Sequence, residues 1–119
     1  MRNILLIIQR GSGVVSSKKF GFKYRVLAWA KQRGILSEGT KLGQFKKTCE
    51  EVHELSLAIN CNDFVEVKDA IGDITVTLVI LAEMYGLDFD DCCEYAYDII
   101  SKRKGVMEDG QFVKEHGSE

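Results

Sequence analysis

Glu50-Glu51-Val52-His53-Glu54 and, across a polar break, Asp69-Ala70-Ile71-Gly72-Asp73 set acidic side chains into stretches whose apolar residues otherwise recur at helical spacing. Residues three or four apart share a helix face, so Glu51 with Glu54, Glu50 with Glu54, and Asp69 with Asp73 each converge on one point. Carboxylates crowded in this way repel one another unless a cation lies among them. Two facing helices carrying them would build a cage of oxygen atoms, which suits a hard divalent ion, Mg²⁺ or alternatively Mn²⁺. Mg²⁺ commonly binds through few carboxylates plus substrate phosphates, which makes a nucleoside polyphosphate the natural third component.

A single acidic cluster ordinarily marks a solvated helix face, here neutralised by Lys46, Lys47 and Lys68. Two clusters at matching height favour the metal reading. Asp73 is the hardest to leave to solvent, because Ile71, Ile74 and Val76 flank it and an unpaired charge among apolar groups is costly.

The elements that must hold these residues are predicted to be helices. With no proline in the chain, breaks are read from glycine and polar clusters. A first helix is expected over Phe20 to Gln32, with Val26, Trp29 and Ala30 inward and Gly34 ending it. A second runs from about Thr40 to Asn60, its Leu42, Phe45, Cys49, Val52, Leu55 and Ile59 forming a seam at spacings of three and four. Asp63-Phe64-Val65-Glu66 reads as a capping box for a third helix, whose Val67, Ile71, Ile74, Leu78, Leu81 and Tyr85 keep the rhythm up to Gly86. Asp88-Phe89-Asp90-Asp91 starts a fourth with acid at its positive end, and Lys102-Arg103-Lys104-Gly105 closes it with cations. The second and third helices form an antiparallel hairpin, which puts Glu51 and Glu54 beside Asp69 and Asp73. The expected fold is an all-α helical bundle of three to four main helices, completed by oligomerisation.

At 119 residues the chain makes one domain, short enough for partner subunits to supply part of the core. Residues 1–19 are expected to be a leader or arm and 115–119 a frayed tail, which leaves 20–114 as the domain. The formal charge of −2 argues against a nucleic acid polymer as partner. The run Ile4 to Ile8 is too short to span a membrane. Cys49, Cys61, Cys92 and Cys93 lack metal-type spacing and suit free thiols in a reducing cytoplasm.

From these residues onward the chain resembles the MazG-like family of all-α nucleoside triphosphate pyrophosphohydrolases, over about residues 20–114. The family signature is E-E-x-x-E on one helix and E-x-x-D on the next. Glu50-Glu51-Val52-His53-Glu54 matches the first element in full. Asp73 takes the place of the final Asp of the second, while Ala70 stands where the family has Glu, with Asp69 beside it. This variant is similar to the phage-type branch. Val26-Leu27-Ala28-Trp29-Ala30, Gln44 and Lys47 before the acidic motif, and Arg103-Lys104-Gly105-Val106-Met107 followed by Asp109-Gly110-Gln111-Phe112-Val113-Lys114 look similar to the same branch.

The resemblance implies hydrolysis of a nucleoside triphosphate to the monophosphate and pyrophosphate; the apolar helical seams, more than one chain of this size covers, lead to the expectation of a homodimer or a dimer of dimers. The resemblance also implies Mg²⁺ held by Glu51, Glu54 and Asp73 with help from Asp69, and Glu50 as first candidate for the general base. Arg103 and Lys104 would hold phosphate oxygens, although cations are ordinary at helix C-termini. Lys47 either reaches phosphate or pairs with Glu51 one turn on. Trp29 either stacks on the base or packs in the core. Asp98 stands where the family commonly has Asn, and an ionised Asp there accepts but does not donate a hydrogen bond. His53 faces away from the metal and His116 lies in the tail. Two rival readings remain: a ferritin-like carboxylate metal bundle, for which the chain has one E-x-x-H and lacks the second, and a non-catalytic helical interaction protein.

Overall fold

A computed structural model describes residues 20–116, so the leader expected at 1–19 and the last residues of the tail, 117–119, lie outside the described residues. The described elements are α1 (Phe22–Gln32), α2 (Ile35–Glu38), α3 (Lys41–Asn60), α4 (Phe64–Met84), α5 (Phe89–Ile100), β1 (Gly105–Glu108) and β2 (Gln111–Lys114). They fall into two compact units, the first ending at Phe89 and the second beginning at Asp90. The fold class is all-α, as expected. Among the described residues no single helix is long and apolar enough to cross a membrane.

In the first unit, local chemistry sets the helix ends. Gly34 turns the chain between α1 and α2 at a φ of 78°, a conformation that disfavours residues with a Cβ. Thr40 caps α3, its hydroxyl accepting from the Gly43 amide at 3.0 Å. Asp63 caps α4, its carboxylate accepting from the Glu66 amide at 3.1 Å. Each cap contributes about 1 kcal/mol by satisfying an amide that the helix leaves unpaired.

Helices α3 and α4 lie antiparallel and in contact along their length, with α1 and α2 packed on α4. The core forms where Val26, Leu27 and Ala30 of α1 meet Val79 and Ile80 of α4. Val79 is 1 % exposed.

The apolar seam expected on α3 is not the face it packs with. Leu42, Phe45, Cys49, Val52 and Ile59 are exposed. The face turned to α4 is the row Gln44, Thr48, Glu51, Leu55 and Ala58, buried or half-buried and spaced alternately by four and three. Both rows keep the same rhythm, so periodicity alone does not choose between them. The polar row can face inward because it is satisfied there. The Gln44 amide donates to the Thr77 carbonyl at 3.2 Å, and the Thr48 hydroxyl donates to Thr77 Oγ1 at 2.9 Å. Thr77 Oγ1 in turn donates to the Ile74 carbonyl at 2.7 Å. On α4, Ile71, Leu78 and Tyr85 of the expected stripe are likewise exposed, whereas Ala70, Thr77, Val79, Ile80 and Ala82 are buried. Trp29, expected inward, is 45 % exposed.

The second unit holds most of α5 and an antiparallel β1–β2 hairpin that sequence reading did not anticipate. Val106 pairs with Val113 and Met107 with Phe112. Asp109 and Gly110 make the turn at φ 49° and 79°, the left-handed pair that a two-residue hairpin needs. Asp90 and Asp91 occupy the first turn of α5, where the helix dipole favours negative charge.

Candidate active site

Glu51 on the inner row of α3 and Asp73 on α4 meet across the helix pair, with their carboxyl groups within hydrogen-bonding reach. Asp69, one turn before Asp73, hydrogen-bonds the same group. Partial burial raises the proton affinity of Glu51, and the charges of Asp73 and Glu54 raise it further, while Lys47 acts in the opposite direction. Asp73 is raised by partial burial, then by the charge of Asp69 and their hydrogen bond, while its hydrogen bond with Glu51 opposes this. Both groups therefore hold protons more tightly than an ordinary carboxyl, first because partial burial disfavours the ionised form and then because another negative oxygen lies beside it.

Two cavities open at this carboxylate pair, and Trp29, Asp73 and Val76 line both. The larger, of about 410 Å³, is further lined by Ile35, Gln44, Lys47, Glu51, Thr77 and Ile80. It joins an apolar floor to a charged end. The other, of about 360 Å³, is completed by Phe22, Arg25 and Val26 of α1. Arg25 carries a buried Nε with no hydrogen-bond partner among the described residues.

Glu51, Asp69, Asp73, Lys47 and Trp29 thus belong to one neighbourhood. Glu50 is exposed on α3 and accepts from Lys47 Nζ at 3.3 Å. Glu54 is felt electrostatically by Glu51, but it lines a separate cavity beside the α3–α4 turn with Asp63 and Glu66. Among the described residues, no three or more acidic, His or Cys side chains already converge as a metal cage. Asp98, Arg103 and Lys104 belong to the second unit, where Asp98 is exposed and Arg103 half-buried. His53 is exposed.

Sequence reading did not single out Arg25, Phe22 or Thr77, and it gave Val76 and Gln44 no role in a pocket. The available signal was position. Arg25 lies one turn before Trp29 and Gln44 two turns before Glu51, each on the face of the residue already suspected.

The donor set fits a hard divalent ion. Its groups are oxygens, partly buried and mutually repelling, and they stand at the mouth of a cavity with room for a ligand. This pairing of a helical hairpin with carboxylates agrees with a family-level match. The MazG nucleotide pyrophosphohydrolase domain matches residues 40–106, more than half of the chain, and the chain belongs to that family. An uncharacterized 18.2 kDa protein from the rep-hol intergenic region of Haemophilus phage HP1 (strain HP1c1) is 38% identical over 60 residues. That alignment covers 50% of this chain and 37% of the phage protein, so the chain matches little more than a third of that relative's length. No solved structure matches the chain.

Proposed function

We propose that this protein hydrolyses nucleoside triphosphates to the monophosphate and pyrophosphate, with Mg²⁺ as cofactor. The observation that carries the reading is the Glu51–Asp73 carboxyl pair at the edge of a cavity that also holds Trp29 and Lys47. Glu51 and Asp73, with Asp69 and Glu54, would hold the ion. When bound, it would supply positive charge against the phosphate oxygens and Lewis acidity for the displacement. Water adds its oxygen to phosphorus as the α–β anhydride bond breaks, and pyrophosphate departs with the bridging oxygen. Glu50, tied to the cavity through its bond with Lys47, takes the proton of the attacking water. Lys47 faces the polyphosphate as a point charge, and Trp29 offers a flat surface to the base.

The assigned domain spans residues 20–114, and Asp98, Arg103 and Lys104 are candidate nucleotide contacts within the second unit taken by itself. The acting species is a homodimer or a dimer of dimers. Its formation would cover Leu42, Phe45, Val52 and Ile59, an apolar row left exposed on a helix whose other face is already packed. A reducing cytoplasm suits the free, exposed Cys49, Cys61, Cys92 and Cys93.

A panel of deoxy- and ribonucleoside triphosphates with Mg²⁺, scored separately for pyrophosphate and phosphate, tests the reading. Pyrophosphate in step with monophosphate supports it. Phosphate alone, or no turnover of any triphosphate, overturns it.

A further inference from the structure

We infer that Arg25 anchors the pyrophosphate end of the substrate's polyphosphate chain, in the cavity that α1 forms with α4. The inference rests on the pyrophosphohydrolase reading and assigns to it a residue and a direction of binding.

Its starting point is that two cavities meet at Asp73, with Trp29 and Val76 as their common wall. A nucleoside triphosphate has a flat, largely apolar end and a multiply charged end, joined at the phosphates that must lie beside the carboxylates. The cavity that holds Ile35, Val76, Ile80, Gln44 and Thr77 offers an apolar floor with buried hydrogen-bonding groups, which suits a base. The cavity of Phe22, Arg25, Val26 and Trp29 holds a guanidinium instead. The Arg25 Nε is buried with no hydrogen-bond partner among the described residues.

A buried, unpaired guanidinium nitrogen is costly to maintain, because hydration is lost with nothing in return. Asp73 lines the same cavity, yet no ion pair joins it to Arg25 among the described contacts. Arg25 thus shares a cavity with Asp73 and keeps an Nε with bonding capacity to spare, and a phosphate bound in that cavity would complete it through paired N–H donors. A cation there also offsets charge that collects on the departing pyrophosphate as the anhydride breaks. Lys47, in the other cavity next to Glu51, is left to the phosphate that stays with the nucleoside.

Calorimetric titration with inorganic pyrophosphate in Mg²⁺ tests this directly, on wild type, Arg25→Gln and Arg25→Lys, alongside steady-state kinetics on the triphosphate panel. Arg25→Gln is expected to weaken pyrophosphate binding by roughly tenfold or more, with an intermediate loss for Arg25→Lys, which keeps the charge without the fork. KM should rise by a similar factor for every base, and monophosphate inhibition should not change. Circular dichroism and thermal melts of both variants establish that the fold is retained, and Arg25→Lys carries the test where Arg25→Gln does not fold. Unchanged pyrophosphate affinity overturns the inference, as does a loss confined to one base, which would make Arg25 a base-reading group. Pyrophosphate binding is measured without turnover, so its result stands apart from the outcome of the activity assay.

Discussion

Glu51 and Asp73 lie within hydrogen-bonding reach of each other, although like charges so placed oppose folding. Repulsion retained between partly buried carboxylates is a local cost that ion binding can offset. Removing one charge should therefore stabilise the metal-free protein while destroying the binding site. Asp73→Asn and Glu51→Gln are each expected to raise the melting temperature in EDTA by a few degrees and to lack the further rise that Mg²⁺ is expected to give the wild type. Lower melting temperatures in EDTA would show that the pair is not under repulsion.

The pH dependence has a definite sign. Both carboxyls have raised proton affinity in the folded protein, so the native state binds more protons than the unfolded chain between the ordinary carboxylate range and the raised values. Their contribution favours folding on the acid side and is lost as pH rises through the raised values. The advantage of Asp73→Asn over wild type in EDTA should accordingly be largest near neutral pH and shrink on acidification, which melts across that range would show. The meeting of Glu51 and Asp73 was legible in the sequence because the two lie at matching height on consecutive antiparallel helices. Arg25 was not, since its position becomes informative only once α1 is seen to share a cavity with Asp73.

Helices α3 and α4 bring these groups together through their caps and through the polar row between them. The cap at Asp63 was legible because a cap is a local event, settled within one turn, and the start of α3 was placed near Thr40 without its capping role. Thr40→Ala is expected to cost about 1 kcal/mol in denaturant unfolding, with no change in the slope. A cost near zero would mean that packing alone fixes the start of α3. The packing face of α3 was not legible. Leu42, Phe45, Val52 and Ile59 outweigh Gln44, Thr48 and Glu51 in apolarity, and only the bonds from Gln44 and Thr48 to Thr77 show how the polar row is accommodated. The hairpin could have been found from Asp109-Gly110 between Val106-Met107 and Phe112-Val113, a turn pair flanked by apolar residues.

For the whole molecule, an apolar row stands exposed on α3, and α5 and the hairpin, each taken by itself, carry further exposed apolar side chains. Self-association is the proposed remedy, and Phe45 is the largest side chain of that row on α3. Phe45→Glu is expected to lower the sedimenting mass at micromolar concentration while the helical signal is kept. A wild type that sediments as a monomer would remove oligomerisation from the proposal and leave the carboxylate site as it stands.

The proposed activity is tested most directly by pyrophosphate release from nucleoside triphosphates in Mg²⁺, compared among wild type, Glu51→Gln and Asp73→Asn at equal folded concentration. The expected result is stoichiometric pyrophosphate and monophosphate from the wild type, dependence on added Mg²⁺, and a loss of at least about a hundredfold in either variant. Variants that turn over near the wild-type rate, or a wild type indifferent to EDTA, would contradict it.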